Sequence, residues 1–155
     1  MRDILFRGIG IKSREWVYGA YVPAMDEDSC DSIIDEQGEQ HIVFSDTVGQ
    51  YTGLKDRHGD RIWEGDIVRR DDYDNYVVKY GYFNEHGENS APSDSWGWYL
   101  NGCCDRAIST PHVIHSIDGI MALFPRYTID NKQYSIPRLG FQIIGNIHDN
   151  PDLLK

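Results

Sequence analysis

Short apolar runs separated by turn-forming residues fill most of the chain. The N-terminal MRDILFRG alternates apolar and polar positions, which predicts a half-buried strand ending at Gly8. Residues 16–22 (WVYGAYV) carry apolar side chains on both faces of an extended chain. They predict a second strand that is covered on both sides and ends at Pro23.

The densest strand and turn signals lie in residues 47–70, TVGQYTGLKDRHGDRIWEGDIVRR. Gly49 and Gly53 interrupt the first run, which favours a bulge or sharp bend there over a long flat strand. A polar hairpin turn is expected to close at Gly59, which can take positive φ, and a second tight turn at Gly65. The segment predicts strand, hairpin, strand, turn, strand.

Further short strands are predicted on both sides of this segment. Residues 26–40 are strongly acidic and favour a solvated loop or hairpin tip with its turn at Gly38. A calcium loop is disfavoured, because the spacing departs from the alternate oxygen ligands of an EF-hand. Strands are predicted at 41–44, 76–80, 96–100 and 141–148, the last broken at Gly145, with polar connections at 71–75 and 84–95.

The C-terminal third gives mixed signals. Residues 111–124 (PHVIHSIDGIMALF) combine apolar positions at helical spacing with β-branched residues, which favours a strand followed by a short turn of helix. Residues 127–130 and 133–136 predict a hairpin around a two-residue loop at Asn131 and Lys132. Pro151 can start a single helical turn, since proline at the first helical position loses no needed donor.

These signals predict a mainly β protein without a long helix. The order of strands and the aromatic content favour an open SH3-like small barrel extended by additional β-hairpins, with few short helical turns. The 155 residues fit a single domain, 1–155, or two intimately packed β subdomains.

Three blocks of sequence carry a resemblance to a known family. They are the opening MRDILFRG together with WVYG at 16–19, the run QYTGLKDRHGDRIWEGDIV at 50–68, and the closing IIGNIHDNPDLL at 143–154. In this order they resemble the YopX family, small proteins of phages and prophages. The resemblance implies an accessory phage protein of mainly β structure, and it implies no catalytic residues.

Composition limits the partners and the compartment. The net charge of −10 argues against binding a nucleic acid, because that affinity comes largely from lysines and arginines that neutralise phosphates. The three cysteines are an odd number with two adjacent, which favours reduced thiols. No signal peptide or membrane span is indicated, so a soluble protein in the cytoplasm of a bacterial host is expected.

Three constellations have the residue types of catalytic or metal sites. Asp56, His58 and Asp60 alternate across a turn, where a solvated hairpin tip is favoured over a metal site or a small metal-dependent hydrolase. Glu64 and Asp66 can form a carboxylate pair, but capping of the turn by Asp66 is favoured. A zinc site or nucleophile is disfavoured for a last set, whose spacing departs from known patterns: Cys103, Cys104, His112 and His115. No cofactor or metal is expected.

The function expected from the sequence is non-enzymatic binding of an unknown host or phage protein through exposed aromatic residues. A homo-oligomer formed through edge strands is plausible. The alternative is a nucleic-acid-binding module in which a basic, aromatic cluster around 55–70 holds a single strand. The candidate binding residues are Tyr51, Lys55, Arg57, Trp63, Glu64, Asp66, Trp96 and Trp98, with Tyr99 as a further aromatic.

Overall fold

The computed structural model of the chain is built almost entirely of β-strands. It describes residues 3–69, 75–85, 93–102, 112–113, 115–117, 120–122, 128–129, 132–133 and 141–154. Residues 83–85, 93–96, 102 and those between 112 and 133 are described by their backbone alone. The chain divides into two compact units, Met1–Gly53 and Leu54–Lys155.

The first unit contains four short strands and most of a fifth. Their order across the sheet is β5-β1-β2-β3-β4, and each pair of neighbours in this order is antiparallel. A 3-10 turn, Ser45–Thr47, precedes β5. The strands are β1 (Phe6–Ile9), β2 (Trp16–Val22), β3 (Ser32–Ile34), β4 (Gln40–Ile42) and β5 (Gly49–Lys55), the last continuing into the second unit.

Hydrogen bonds return the chain after β4 to the end of β1. The Ile11 N–H donates to the Ile42 carbonyl at 2.9 Å, and the Phe44 N–H donates to the Ile9 carbonyl at 3.0 Å. The strands β1 to β4 therefore close into a ring of hydrogen-bonded neighbours. This ring satisfies backbone groups that an open edge strand would leave to solvent.

The core of the first unit is small and includes a buried cation. Ile33, Val43 and Tyr51 are buried in this unit. The Arg7 side chain is buried too, and its guanidinium lies over the Trp16 ring at 4.5 Å from the ring centre. This cation–π contact stabilises the charge away from water.

The second unit contains a longer antiparallel sheet in the order β10-β9-β8-β7-β15. Two hairpins accompany it, β11–β12 with Ile120 beside Lys55, and β13–β14. A 3-10 turn, Pro151–Leu154, follows. The strands are β6 (Arg61–Trp63), β7 (Asp66–Arg69), β8 (Asn75–Glu85), β9 (Ser93–Gly102), β10 (His112–Val113), β11 (His115–Ile117), β12 (Ile120–Ala122), β13 (Thr128–Ile129), β14 (Lys132–Gln133) and β15 (Gln142–Asn146).

An apolar cluster lies on one face of this sheet. Its members are fully buried, and Tyr76 packs its edge on the Phe141 ring with centroids 6.1 Å apart. Residues that lie directly opposite each other on paired strands point to the same face of the sheet, so neighbouring strands both contribute side chains to the cluster. The cluster consists of Ile62, Val68, Val78, Leu100 and Phe141.

The mainly β prediction is confirmed, and the helical elements among the described residues are the two 3-10 turns. The central strand–hairpin–strand–turn–strand pattern is confirmed, with Gly59 and Gly65 at positive φ. The break at Gly145 is confirmed as a register shift between β15 and β7. The SH3-like barrel and the single-domain organisation stay predictions.

Several local predictions are wrong. β2 is not covered on both sides, because Tyr18 and Ala20 are exposed. The acidic segment is confirmed as an exposed loop and hairpin tip with its turn at Gly38, and it differs from the prediction only in containing β3 with a buried Ile33. The polar loop predicted at 84–95 is shorter, since β8 extends to Glu85 and β9 begins at Ser93.

The C-terminal third differs in two further places. The described parts of 111–124 are strands, and they include Ile117, Ile120 and Met121, whose spacing predicted the short turn of helix, so that prediction is wrong for these residues. In the last hairpin Ile129 pairs with Lys132, so the two-residue connection lies one position earlier than predicted. The turn predicted at 71–75 lies mostly outside the described residues.

Across the described part of the chain, no helix combines the length and hydrophobicity needed to span a membrane.

Candidate functional site

Asp56 anchors the hairpin turn between β5 and β6. Its side chain is 1% exposed, and its Oδ1 accepts the N–H groups of His58 at 2.7 Å and Asp60 at 3.0 Å. Its Oδ2 accepts the N–H of Ile143 on β15 at 3.2 Å. Both carboxylate oxygens are therefore committed to backbone donors. The solvated-tip interpretation is wrong for Asp56 and correct for His58 and Asp60, which are exposed.

The turn between β6 and β7 is held in a similar way. Asp66 is buried, and its Oδ2 accepts the Trp63 N–H at 2.8 Å, so the predicted capping role is confirmed. The Gly65 N–H donates to the Val78 carbonyl, and the Gly65 carbonyl accepts the Ile147 N–H, both at 2.9 Å. The buried Asp66 carboxylate thus stabilises the turn by accepting a backbone N–H.

The closing block forms a compact turn around two asparagines. The Asn146 Oδ1 accepts the N–H groups of His148 and Asp149, both at 2.9 Å. The Asn150 Oδ1 accepts the Asn146 N–H at 3.3 Å, and the Asn150 carbonyl accepts the Leu153 N–H at 3.1 Å. A Cβ at Gly145 would lie 2.8 Å from the Asn150 Cγ, so a side chain there would displace this turn.

The same block is tied to the start of β8. The Asn75 Nδ2 donates to the Leu153 carbonyl at 3.0 Å, and the Asn75 Oδ1 accepts the Arg69 Nε–H at 2.8 Å. The Arg57 N–H donates to the Phe141 carbonyl at 2.9 Å as well. The central and closing blocks of the sequence thus meet in one hydrogen-bonded assembly. Their characteristic residues build the fold of this unit.

An exposed row of aromatic rings continues outward from the apolar cluster. Val78, Tyr80 and Tyr82 alternate on β8 and share a face, because the pairing with β9 is continuous from Tyr76 to Glu85. Val78 is buried, whereas Tyr80 is 47% and Tyr82 is 55% exposed. Across the ladder Trp98 faces Tyr80. We define Tyr80, Tyr82 and Trp98 as the aromatic row.

Trp98 joins the aromatic row to the core. Its half-buried ring packs against the apolar cluster, and the Tyr80 ring meets it edge-on with centroids 4.9 Å apart at 61°. Its Nε1 is buried and has no hydrogen-bond partner among the described residues. This packing fixes the orientation of the Tyr80 ring at the surface.

The two rings of the basic, aromatic cluster predicted around 55–70 are buried. Trp63 is 5% exposed and Tyr51 is buried, so neither ring offers a stacking surface, and the expectation of an exposed Trp63 is wrong. Lys55 and Arg57 are exposed, and the Arg57 guanidinium donates to the Gln142 Oε1 at 2.9 Å. Glu64 is half-buried.

The other predicted aromatics belong to the β8–β9 arm. The Trp96 backbone pairs with that of Tyr82, and its side chain lies outside the described residues. Trp98 is in the aromatic row, and Tyr99 is half-buried on β9. Sequence reasoning missed Tyr80 and Tyr82. The alternation of YVVKYGY with the facing WGW was the signal for them.

One group of metal-ligand types exists among the described side chains, on the β3–β4 hairpin. Single ligand atoms of Asp35, Glu39 and His41 lie within 4.8 Å of one another. Asp35 stabilises the turn of this hairpin. Its Oδ1 accepts the N–H groups of Gln37 and Glu39 at 2.9 Å, and its Oδ2 contacts the His41 Nε2 at 2.8 Å. The His41 hydrogen bond is the main cause that lowers the Asp35 pKa below its ordinary value. These contacts explain the cluster as a turn-stabilising one.

The structure does not describe the side chains of the predicted thiol and histidine set. Cys103 and Cys104 lie outside the described residues, and of His112 and His115 only the backbone is described, on β10 and β11. Cys30 is a free, exposed thiol in the loop before β3.

Comparisons with known proteins identify the family to which the chain belongs. Residues 5–155 match the family described as YopX protein. A solved structure, the crystal structure of protein EF1440 from Enterococcus faecalis, is 23% identical over 100% of both chains, with a TM-score of 0.40. No curated protein matches the chain. Since the family match covers nearly the whole sequence, the chain belongs to the YopX protein family.

Proposed function

We propose that this protein is a phage or prophage accessory protein that acts without catalysis, by binding another protein through the aromatic row. The observation that carries the proposal is the exposure of Tyr80 and Tyr82 on a face that is otherwise the core face of its sheet. Tyrosine and tryptophan are enriched where proteins contact partners, because they bury a large area at little conformational cost.

Both candidate catalytic carboxylates accept hydrogen bonds from backbone N–H groups, which supports a non-enzymatic role. Asp56 accepts three backbone N–H groups and Asp66 accepts the Trp63 N–H, so neither is held ready to take a proton from a substrate. The burial of Tyr51 and Trp63 weighs against single-strand binding by the cluster around 55–70, because stacking needs an accessible ring face.

A capture experiment with matched variants tests the proposal. The purified protein, the double variant Tyr80→Ala/Tyr82→Ala and the control Tyr18→Ala would each be used as bait in nuclease-treated lysate of a bacterial host. Tyr18 is 46% exposed on β2 of the other unit, so it matches the test residues in type and exposure. We expect a partner protein that the double variant loses and the control retains.

The outcome separates the classes of function. A protein retained equally by all three baits would mean that the aromatic row is not the contact surface. Binding of the wild-type bait that is seen in a parallel lysate without nuclease and is absent from the nuclease-treated lysate would favour a nucleic-acid-binding module instead. Circular dichroism and thermal unfolding of each variant would establish that the β-sheets persist, since alanine at two half-exposed tyrosines removes little core packing.

A further inference from the structure

Three side chains that can ligate a metal lie on one face of the β3–β4 hairpin. The register pairs Ile33 with His41, so Asp35, two positions further along, lies opposite Glu39 at the turn. Residues two apart on a strand share a face, as do residues directly opposite each other on paired strands. Single ligand atoms of Asp35, Glu39 and His41 accordingly lie within 4.8 Å of one another.

This group holds more negative charge than its surroundings neutralise. Two carboxylates accompany one imidazole, so the group is negative in either protonation state of His41. Within the described part of the chain, no Lys or Arg forms an ion pair with either carboxylate, and the ion pair of the group is the one between His41 and Asp35. A bound cation would remove the repulsion between the two carboxylates.

The hydrogen bonds that stabilise the turn also orient the ligand atoms. The Asp35 Oδ1 accepts the N–H groups of Gln37 and Glu39, which leaves Oδ2 directed at the His41 Nε2, 2.8 Å away. Two ligands of a tetrahedral zinc ion, each at about 2.0–2.1 Å from it, lie about 3.3 Å apart. The Asp35–His41 contact is therefore within about 0.5 Å of the spacing that zinc needs. Bonds of this kind to a ligating carboxylate are what the outer shell of a metal site supplies.

We propose that Asp35, Glu39 and His41 bind a zinc ion or a similar divalent transition metal. An imidazole nitrogen combined with carboxylate oxygens suits these ions, whereas calcium and magnesium prefer a larger set of oxygen ligands. The ion replaces the proton between the His41 Nε2 and the Asp35 Oδ2, and the neutral imidazole then carries its proton on Nδ1. Three protein ligands leave a fourth position for water or for a donor from another molecule. The site lies in the first unit and is independent of the aromatic row.

Calorimetric titration of the full-length protein with zinc chloride tests the inference. The chain has six His and three Cys, which can add background binding, so the thiols are kept reduced and the affinities of matched variants are compared. Glu39→Gln and His41→Gln each remove one ligand at little change in size, and a glutamine at 41 can still donate to the Asp35 carboxylate. The control Glu36→Gln removes an exposed carboxylate of the same turn that is outside the group.

We expect zinc to bind the wild type and the Glu36→Gln control with affinities within about twofold of each other. Both ligand variants should bind at least tenfold more weakly at this site, since the loss of an outer-shell partner alone costs about 10–100-fold in metal affinity. Circular dichroism of each variant checks the fold. Glu39 is exposed, so Glu39→Gln keeps the test valid even where His41→Gln disturbs the hairpin.

Nuclear magnetic resonance with cobalt(II), a paramagnetic substitute for zinc, locates the bound ion. The amide signals of residues 33–41 are expected to broaden or shift most, and this effect should be lost in Glu39→Gln. Equal zinc affinities of the wild type and both ligand variants would overturn the inference, because the ion would then be held elsewhere. Cobalt effects confined to other parts of the chain, or no zinc binding by the wild type, would overturn it as well.

Discussion

At the scale of single residues, Asp56 is a buried carboxylate that is bonded to the backbone through both of its oxygens. It joins the turn after β5 to β15 through three backbone donors. Asp60, four positions along, is exposed at the same turn. The two residues therefore have the same chemistry and opposite surroundings.

Replacement of Asp56 by alanine is expected to lower the free energy of unfolding by about 2–4 kcal/mol, because buried N–H groups lose their acceptor. Asp60→Ala should change it by less than about 0.5 kcal/mol. Urea unfolding followed by tryptophan fluorescence measures both. Similar values for the two variants would show that the carboxylate of Asp56 is not what holds the turn.

A second single-residue test concerns Gly19, in the WVYG block. A Cβ built at this position would lie 2.7 Å from the carbonyl carbon of Ile34, which is backbone and cannot rotate away. Gly19→Ala is therefore expected to separate β2 from β3 and cost about 3 kcal/mol or more. The control Ala20→Ser alters the exposed neighbour and should be nearly neutral in thermal unfolding. A stable Gly19→Ala protein would mean that the strands are further apart than described.

At the scale of elements, the acidic connection between β2 and β3 is ordered by Asp31. The hydroxyl of Ser45, the N–H of Ala24 at 2.9 Å and the hydroxyl of Tyr21 at 2.8 Å bond to its carboxylate. These bonds favour the charged form and lower the Asp31 pKa below its ordinary 3.8. Protonation of Asp31 therefore weakens the bonds that its carboxylate makes to Ser45, Ala24 and Tyr21.

The sign of this shift predicts a pH dependence. Because the folded pKa is lowered, the stabilisation by Asp31 is present above its ordinary 3.8 and is lost as the pH falls through the lower folded value. Asp31→Asn should therefore be less stable than wild type at pH 6, and the difference should shrink towards pH 3. Chemical unfolding at both pH values checks this, with Tyr21→Phe expected to show part of the same effect. A difference that grows on acidification would contradict the network.

The elements were predictable where glycine and proline mark their ends. Gly59 and Gly65 were placed correctly because their turns need a positive φ that strains other residues, and Pro151 because its fixed φ suits the first helical position, where no N–H is needed. Periodicity could not tell that Trp63 is buried and Tyr80 is exposed, since both alternate on β-strands and burial depends on which strands pack over them. The bond from Asp56 to Ile143 depends on a contact between distant positions, which local patterns do not encode.

At the scale of the whole molecule, the net charge of −10 means that acidic groups repel one another. Folding strengthens this repulsion because it brings the charges closer together. Added salt screens this repulsion, and the Debye length falls from about 30 Å at 0.01 M to about 8 Å at 0.15 M. We expect the melting temperature to rise by about 1–3 °C between these salt concentrations at pH 7. Calorimetry in sodium chloride measures it. A melting temperature that falls with salt would mean that favourable ion pairs outweigh the repulsion.

The long-range bond between Asp56 and Ile143 spans 87 positions, and β15 completes the free edge of β7 from the same distant part of the chain. On a ribosome that adds about 5–20 residues per second, the nascent chain would carry β7 without its partner for about 4–15 s. During that interval its edge is open to other chains. Overproduction from strong promoters is therefore expected to yield inclusion bodies, and slower translation or a chaperone that shields this edge should raise the yield of native protein.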